Sequence, residues 1–306
     1  MTDDFDFTKP QPAQPATPAE VSAPSAPFKP AQSRYYDAKV AEQLFRSAGK
    51  PERFAAGQAL FTEEDKAKGG LFGSRSIARM YYVVEGEVAL THRGKPLDTV
   101  KPGEVFGEMA VVSERPRSAT ATAKTDASAI SLDRGELQAA FARSPEFALM
   151  LMSVMFDRLR FLSARLASRK PPGGAAVREA SVFDAATLAQ FEHALPRAAT
   201  VRHWQETVVM REGQTGAFMY VVKSGRVAIS IRGVPVEVVQ PGGIFGEMAL
   251  VDQAPRNASA TTQTECELLQ VDRPSLLAAV SAQPAFAMAM LRGVADRLRY
   301  MNEQLN

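Results

Sequence analysis

Apolar and polar positions along the chain change period in the same order twice. Tyr81-Tyr82-Val83-Val84 is an aromatic and β-branched run closed by Glu85-Gly86 and followed by Glu87-Val88-Ala89-Leu90, which predicts two strands around a turn. Val221-Val222 and Val227-Ala228-Ile229-Ser230-Ile231 repeat the pattern, and Pro102-Gly103 and Pro241-Gly242 mark further turns. Several short strands between turn signals predict an antiparallel roll rather than βαβ units. After Pro145 the period becomes helical. Phe147, Leu151, Met155, Leu159, Leu162 and Leu166 fall on one face, as do Phe286, Met290, Val294, Leu298, Met301 and Leu305 later.

The recurrence is a duplication. Met80 to Gly86 returns as Met219 to Gly225, and Phe106-Gly107-Glu108-Met109-Ala110 returns as Phe245-Gly246-Glu247-Met248-Ala249. Pro116-Arg117 returns as Pro255-Arg256, and Asp157-Arg158-Leu159-Arg160 as Asp296-Arg297-Leu298-Arg299, always at an offset of 139. A period this long is the size of a domain, not of a solenoid repeat. Upstream, Gly57 to Asp65 matches Glu206 to Gln214, leaving about ten extra residues in the first copy (Lys66 to Arg79), expected to form an elongated hairpin loop.

The other stretches are connective. Residues 1–34 are dominated by Pro, Ala, Ser and Gln and are expected to be disordered, and 169–180, with Lys170-Pro171-Pro172-Gly173-Gly174, reads as a linker. The expected domains are 35–168 and 181–306. Composition, at 45% hydrophobic and 23% charged, is that of a folded chain. A net charge of +2 gives no electrostatic footprint for nucleic acid. Cys266 is the single cysteine, and the acidic N-terminus has no apolar run of a secretory signal. No run approaches the roughly 18–20 apolar residues of a bilayer span. The expectation is a soluble cytoplasmic protein with neither membrane nor nucleic acid as partner. Arg158, Arg160 and Arg165 read as a solvated basic helix flank.

Candidate chemistry concentrates in Phe106-Gly107-Glu108-Met109-Ala110 with Pro116-Arg117-Ser118-Ala119, and in Phe245-Gly246-Glu247-Met248-Ala249 with Pro255-Arg256-Asn257-Ala258. A glycine opening a short helical turn lets backbone N–H groups approach an anion, and the helix dipole favours it. An arginine nine residues beyond the glutamate can return to the same spot and fork onto a phosphate. The glutamate, repelled by that anion, suits neighbouring hydroxyls. Together these groups suit a sugar phosphate. His92, His193 and His203 share no metal-ligand spacing.

These residues resemble the phosphate-binding cassette of the cyclic nucleotide-binding domain family, twice in register, over roughly residues 40–168 and 181–306. The resemblance implies a mainly β, α+β fold: two tandem antiparallel rolls, jelly-roll-like and eight-stranded, each followed by a C-terminal lid helix. It implies cAMP or cGMP as ligand, with no cofactor. Arg117 and Arg256 would bind the cyclic phosphate, and Glu108 and Glu247 would accept from the ribose 2′-hydroxyl. Phe161 and Tyr300 are candidate caps on the purine, with core or dimer interface as the alternative. The sequence departs from the family where Asn257 follows the second arginine, where Ser118 offers a hydroxyl, and where Trp204 to Met210 lacks a glycine like Gly57.

Three output classes stay open. The first is a non-catalytic receptor or adaptor whose lid helices control a protein partner. The second is a nucleotide-independent scaffold with relic pockets, and the third an enzyme such as a hydrolase, for which no nucleophile or metal motif is visible. Tandem domains resemble a protein kinase A regulatory subunit, without a visible inhibitor segment. With the chain ending at Asn306 near the second lid helix, a DNA reader like that of catabolite activator protein is not expected. The apolar lid helices could pair between chains as a homodimer or pack on their own rolls.

Overall fold

The protein was described from a computed structural model covering residues 35–63, 78–167, 178–196 and 199–305. The tail at 1–34, most of the 66–79 insert and most of the 169–180 linker lie outside the described residues.

Helix α1 (Ala38–Ala48) starts at Asp37, whose carboxylate accepts from the backbone N–H groups of Lys39 and Val40. Eight strands follow in the first repeat: β1 (Lys50–Phe54), β2 (Ala59–Phe61), β3 (Arg79–Glu85), β4 (Val88–His92), β5 (Lys95–Val100), β6 (Val105–Phe106), then, after the short helix α2 (Glu108–Ser113), β7 (Thr120–Ala123) and β8 (Ala127–Asp133). They form two antiparallel four-stranded sheets, ordered β1-β8-β3-β6 and β2-β7-β4-β5. Phe54, Tyr81, Val83 and Phe106 from one sheet meet Val88, Val100, Ala121 and Ala123 from the other between them. Met80 and Tyr82, the alternate residues of β3, pack into the helical layer instead. Both faces of β3 are therefore covered, and its sequence runs apolar rather than alternating.

Two helices close the repeat. Asp133 and Glu136 form a reciprocal capping box at the start of α3 (Arg134–Arg143). The chain then turns by 119° into α4 (Pro145–Ala167), at the proline where a helix boundary is expected.

The second repeat follows the same plan: α5 (Ala185–Ala194), β10 (Ala199–His203), β11 (Val208–Met210), β12 (Phe218–Ser224), β13 (Val227–Ile231), β14 (Val234–Val239), β15 (Ile244–Phe245), α6 (Glu247–Asp252), β16 (Ser259–Thr262), β17 (Cys266–Asp272), α7 (Arg273–Ala282) and α8 (Ala285–Leu305). One strand has no counterpart among the described residues. Strand β9 (Arg178–Ala180), within the stretch read as linker, pairs in parallel with β14 and makes that sheet five-stranded.

The lid helices are buried more deeply than one apolar face requires. Residues 147–156 of α4 are buried at every position, because α4 packs on α3 below and on α6, α7 and α8 of the other repeat. A helix apolar all round is a core helix. Helix α2 packs against α8 as α6 packs against α4, and α3 meets α7. These reciprocal contacts are those of an isologous dimer, made inside one chain. The lid helices thus pair with one another within the chain.

Polar contacts across this interface follow the same symmetry and correct the reading of a solvated basic flank at Arg160; the Arg165 side chain lies outside the described residues. Arg160 pairs with Asp252, which is only 3% exposed. Its equivalent Arg299 donates to Ser113 Oγ (3.4 Å) and Pro116 O (2.9 Å). Among the described residues no single helix is long and apolar enough to cross a membrane.

Candidate functional site

In the second repeat β15 ends at Phe245, Gly246 turns the chain at φ 77°, and α6 begins at Glu247 with no side chain capping it. Glycine takes this left-handed conformation without strain. It also makes room: a Cβ on Gly246 would stand 2.6 Å from Arg256 Nη1. The Arg256 guanidinium donates from Nη1 to Gly246 O (2.7 Å) and from Nη2 to Phe218 O (2.6 Å). Gly216 closes the slot, since a Cβ there would lie 2.3 Å from Arg256 Cζ.

The first repeat builds the same device. Gly107 has φ 77°, and Arg117 donates to Gly107 O (2.9 Å) and Arg79 O (2.7 Å). Arg117 also lies 3.9 Å over the ring of Phe61, itself stacked on Tyr81, a cation–π contact. Both arginines are buried. Burial lowers the Arg256 pKa, opposed by Tyr220 and Glu247, yet a guanidinium stays charged. A buried, fixed cation beside the first turn of a helix is an anion receptor.

The glutamates do not pair with these arginines. Glu108 pairs with Arg158 of α4, and Glu247 with Arg297 of α8 at 2.5 Å. Both carboxylates are 2% exposed, so each needs its cation. Arg297 also donates to Ile244 O (2.8 Å) and pairs with Glu237 (3.1 Å), which in turn holds Arg178 Nη1 (2.7 Å). Burial works against the charge on Arg297, but the Glu237 and Glu247 carboxylates outweigh it and hold the guanidinium firmly protonated. Each lid helix is thus tied to its own glycine–glutamate turn by a buried ion pair.

The structure gathers all of the second-site candidates, Phe245, Gly246, Glu247, Met248, Ala249, Arg256, Asn257, Ala258 and Tyr300, around one cavity. Leu159, from the first repeat's lid helix, completes its wall. In the first repeat Phe106, Glu108 and Ala110 are buried beside Arg117. The Ser118 hydroxyl donates to Met109 Sδ (3.7 Å), while Ser118 O meets His92 Nδ1 (3.1 Å). Ala119 and Phe161 are partly exposed, Phe161 at the α4 position equivalent to Tyr300.

Sequence reasoning missed Arg158, Arg297, Glu237 and Arg178 as site residues. The recurrence of Asp-Arg-Leu-Arg at the common offset was a signal for the first two. Glu237 and Arg178 had none. Among the described residues no cluster of three or more His, Cys, Asp or Glu is placed to hold a metal ion.

The model of the cyclic nucleotide-binding domain matches residues 51–144 and 200–283, one segment in each repeat. Among curated proteins, the chain is 34% identical over 102 residues to a CRP-like cAMP-activated global transcriptional regulator of Mycobacterium tuberculosis, covering 32% of this chain and 46% of that protein. It is 27% identical over 191 residues to the cAMP-dependent protein kinase regulatory subunit of Schizosaccharomyces pombe, covering 62% and 41%. The chain thus spans less than half the length of these relatives. Among solved structures, the regulatory domain of Toxoplasma gondii PKA with cAMP matches at 20% identity and TM-score 0.29, covering 85% of this chain and 95% of that one. The regulatory subunit of a cAMP-independent protein kinase A from Trypanosoma brucei matches at 15% and 0.28, covering 78% of each. With more than half of its residues inside the two matched segments, the chain belongs to the cyclic nucleotide-binding domain family and carries that domain in tandem.

Proposed function

We propose that the chain is a cytoplasmic, non-catalytic receptor that binds a cyclic nucleotide, cAMP or cGMP, at each of two sites and thereby controls a protein partner. The observation that carries this reading is the duplicated slot: a buried arginine fixed on two carbonyls, beside a glycine that opens a helical turn. The phosphate would neutralise Arg117 or Arg256, and the ribose 2′-hydroxyl would donate to Glu108 or Glu247. Those carboxylates are already bound by Arg158 and Arg297, so a ligand that engages them bears directly on the lid helices. Such a switch needs a ligand that favours one lid state, by about 1–3 kcal/mol in typical cases.

A second reading, a scaffold that takes no nucleotide, draws on the same ion pairs. The charges of each site already have protein partners.

Isothermal titration with cAMP and cGMP, on the native chain and on Arg117→Ala and Arg256→Ala, separates the two. Two binding events are expected, each lost with its own arginine at a cost of about 2–5 kcal/mol. No heat and no thermal stabilisation by either nucleotide would establish the scaffold.

A further inference from the structure

The cavity of the second repeat contains a charged pair outside the glycine–glutamate turn. Arg178, on β9, donates from Nη1 to Glu237 Oε1 at 2.7 Å, and both line the cavity with side chains only 17% and 11% exposed. In the first repeat the position of Glu237 is taken by Asp98, one methylene shorter. No strand flanks β5 there among the described residues, as β9 flanks β14. The linker strand delivers a guanidinium to the second site.

The pair stands where a base would lie. Glu247, Arg297, Glu237 and Arg178 form a continuous chain of ion pairs. If Glu247 accepts from the ribose 2′-hydroxyl, the adjacent C1′ and its base extend along that chain, between Ile229, Ile231 and Val236. Arg256 and Asn257 belong to the phosphate end.

Resting on the receptor reading above, we infer that Arg178 and Glu237 read the base in the second site and select guanine over adenine. Glu237 accepts from the guanine N1–H and its 2-amino group, and Arg178 donates to O6. Arginine on guanine O6 is a favoured pairing in nucleic acids for the same reason. Adenine presents its N1 lone pair to the carboxylate and its amino group to the guanidinium, so both buried charges face the wrong polarity. Sites that hydrogen-bond a ligand reject analogues that leave such groups unmatched.

The test is calorimetry of the Arg117→Ala chain, in which the first site is silenced, with cGMP, cAMP and cyclic inosine monophosphate. The second site should bind cGMP about 10- to 100-fold more tightly than cAMP. The inosine nucleotide, which keeps N1–H and O6 but lacks the amino group, should fall between them. Arg178→Gln and Glu237→Gln, added singly, should bring cGMP and cAMP to within about threefold. Should either variant fail to fold, the inosine comparison decides without it. Equal binding of cGMP and the inosine nucleotide, or cAMP binding as tightly as cGMP, overturns the inference and leaves the receptor reading intact. Binding of none of the three by this chain overturns the inference, and binding of none by the native chain removes the receptor reading as well.

Discussion

Replacing Arg297 by methionine tests whether the ion pairs of the second site hold the lid helix in place. Arg297 is 9% exposed and serves Glu247, Glu237 and the carbonyl of Ile244. Methionine preserves much of the packing but leaves Glu247, at 2% exposure, without this cation, while Glu237 retains Arg178. Breaking a buried pair from one side costs about 3–5 kcal/mol, a large share of the roughly 5–15 kcal/mol of a typical domain. Equilibrium urea denaturation should therefore show a sharply lowered midpoint, and a changed slope would report that the repeats have uncoupled.

An internal check follows from the same physics. The double variant Arg297→Met, Glu247→Gln removes both charges and should recover most of the loss. A single-variant deficit under about 1 kcal/mol, or a double variant no more stable than the single, would refute the reasoning.

Two further outcomes are expected. Gly216→Ala places a methyl 2.3 Å from Arg256 Cζ, and the flexible guanidinium rather than the backbone should yield. Thermal stability should change by less than about 1 kcal/mol, while nucleotide affinity of the second site falls at least about tenfold by titration; unchanged affinity contradicts the slot. For Asp252, burial raises the pKa, with Arg160 opposing it. A raised folded-state value means that the Asp252 contribution is fully present below about pH 4 and is lost as pH rises through the shifted value. The native chain should therefore lose stability relative to Asp252→Asn over that rise, read from denaturation midpoints, and parallel curves would contradict it.

Much of the fold was legible because its signals are local. Strand runs around Gly86 and Gly225, the helix start at Pro145 and the Phe-Gly-Glu turns each depend on residues within one or two turns of chain. The duplication multiplied them: a weak pattern seen twice at one offset is a strong one. The slot for Arg117 and Arg256 was legible in kind, since glycine, helix start and arginine follow each other closely. Its detail was not, because one of the two carbonyls that hold each guanidinium belongs to Arg79 or Phe218, 38 residues away in sequence.

The remainder was decided by how the repeats meet. Residues 147–156 carry apolar side chains on every face, and only the packing of α4 against a second set of helices explains why all are buried. Arg160 reads as a surface residue until Asp252 of the other repeat is brought against it. Arg178 sits in a three-residue strand, too short to carry a period, whose pairing partner lies some sixty positions on. The sequence by itself determined the elements, their duplication and the chemistry of the two cassettes, because those rest on backbone preference and near neighbours. Tertiary structure alone decided which charges are buried together and how the two sites differ, because desolvation and ion pairing depend on distance in space.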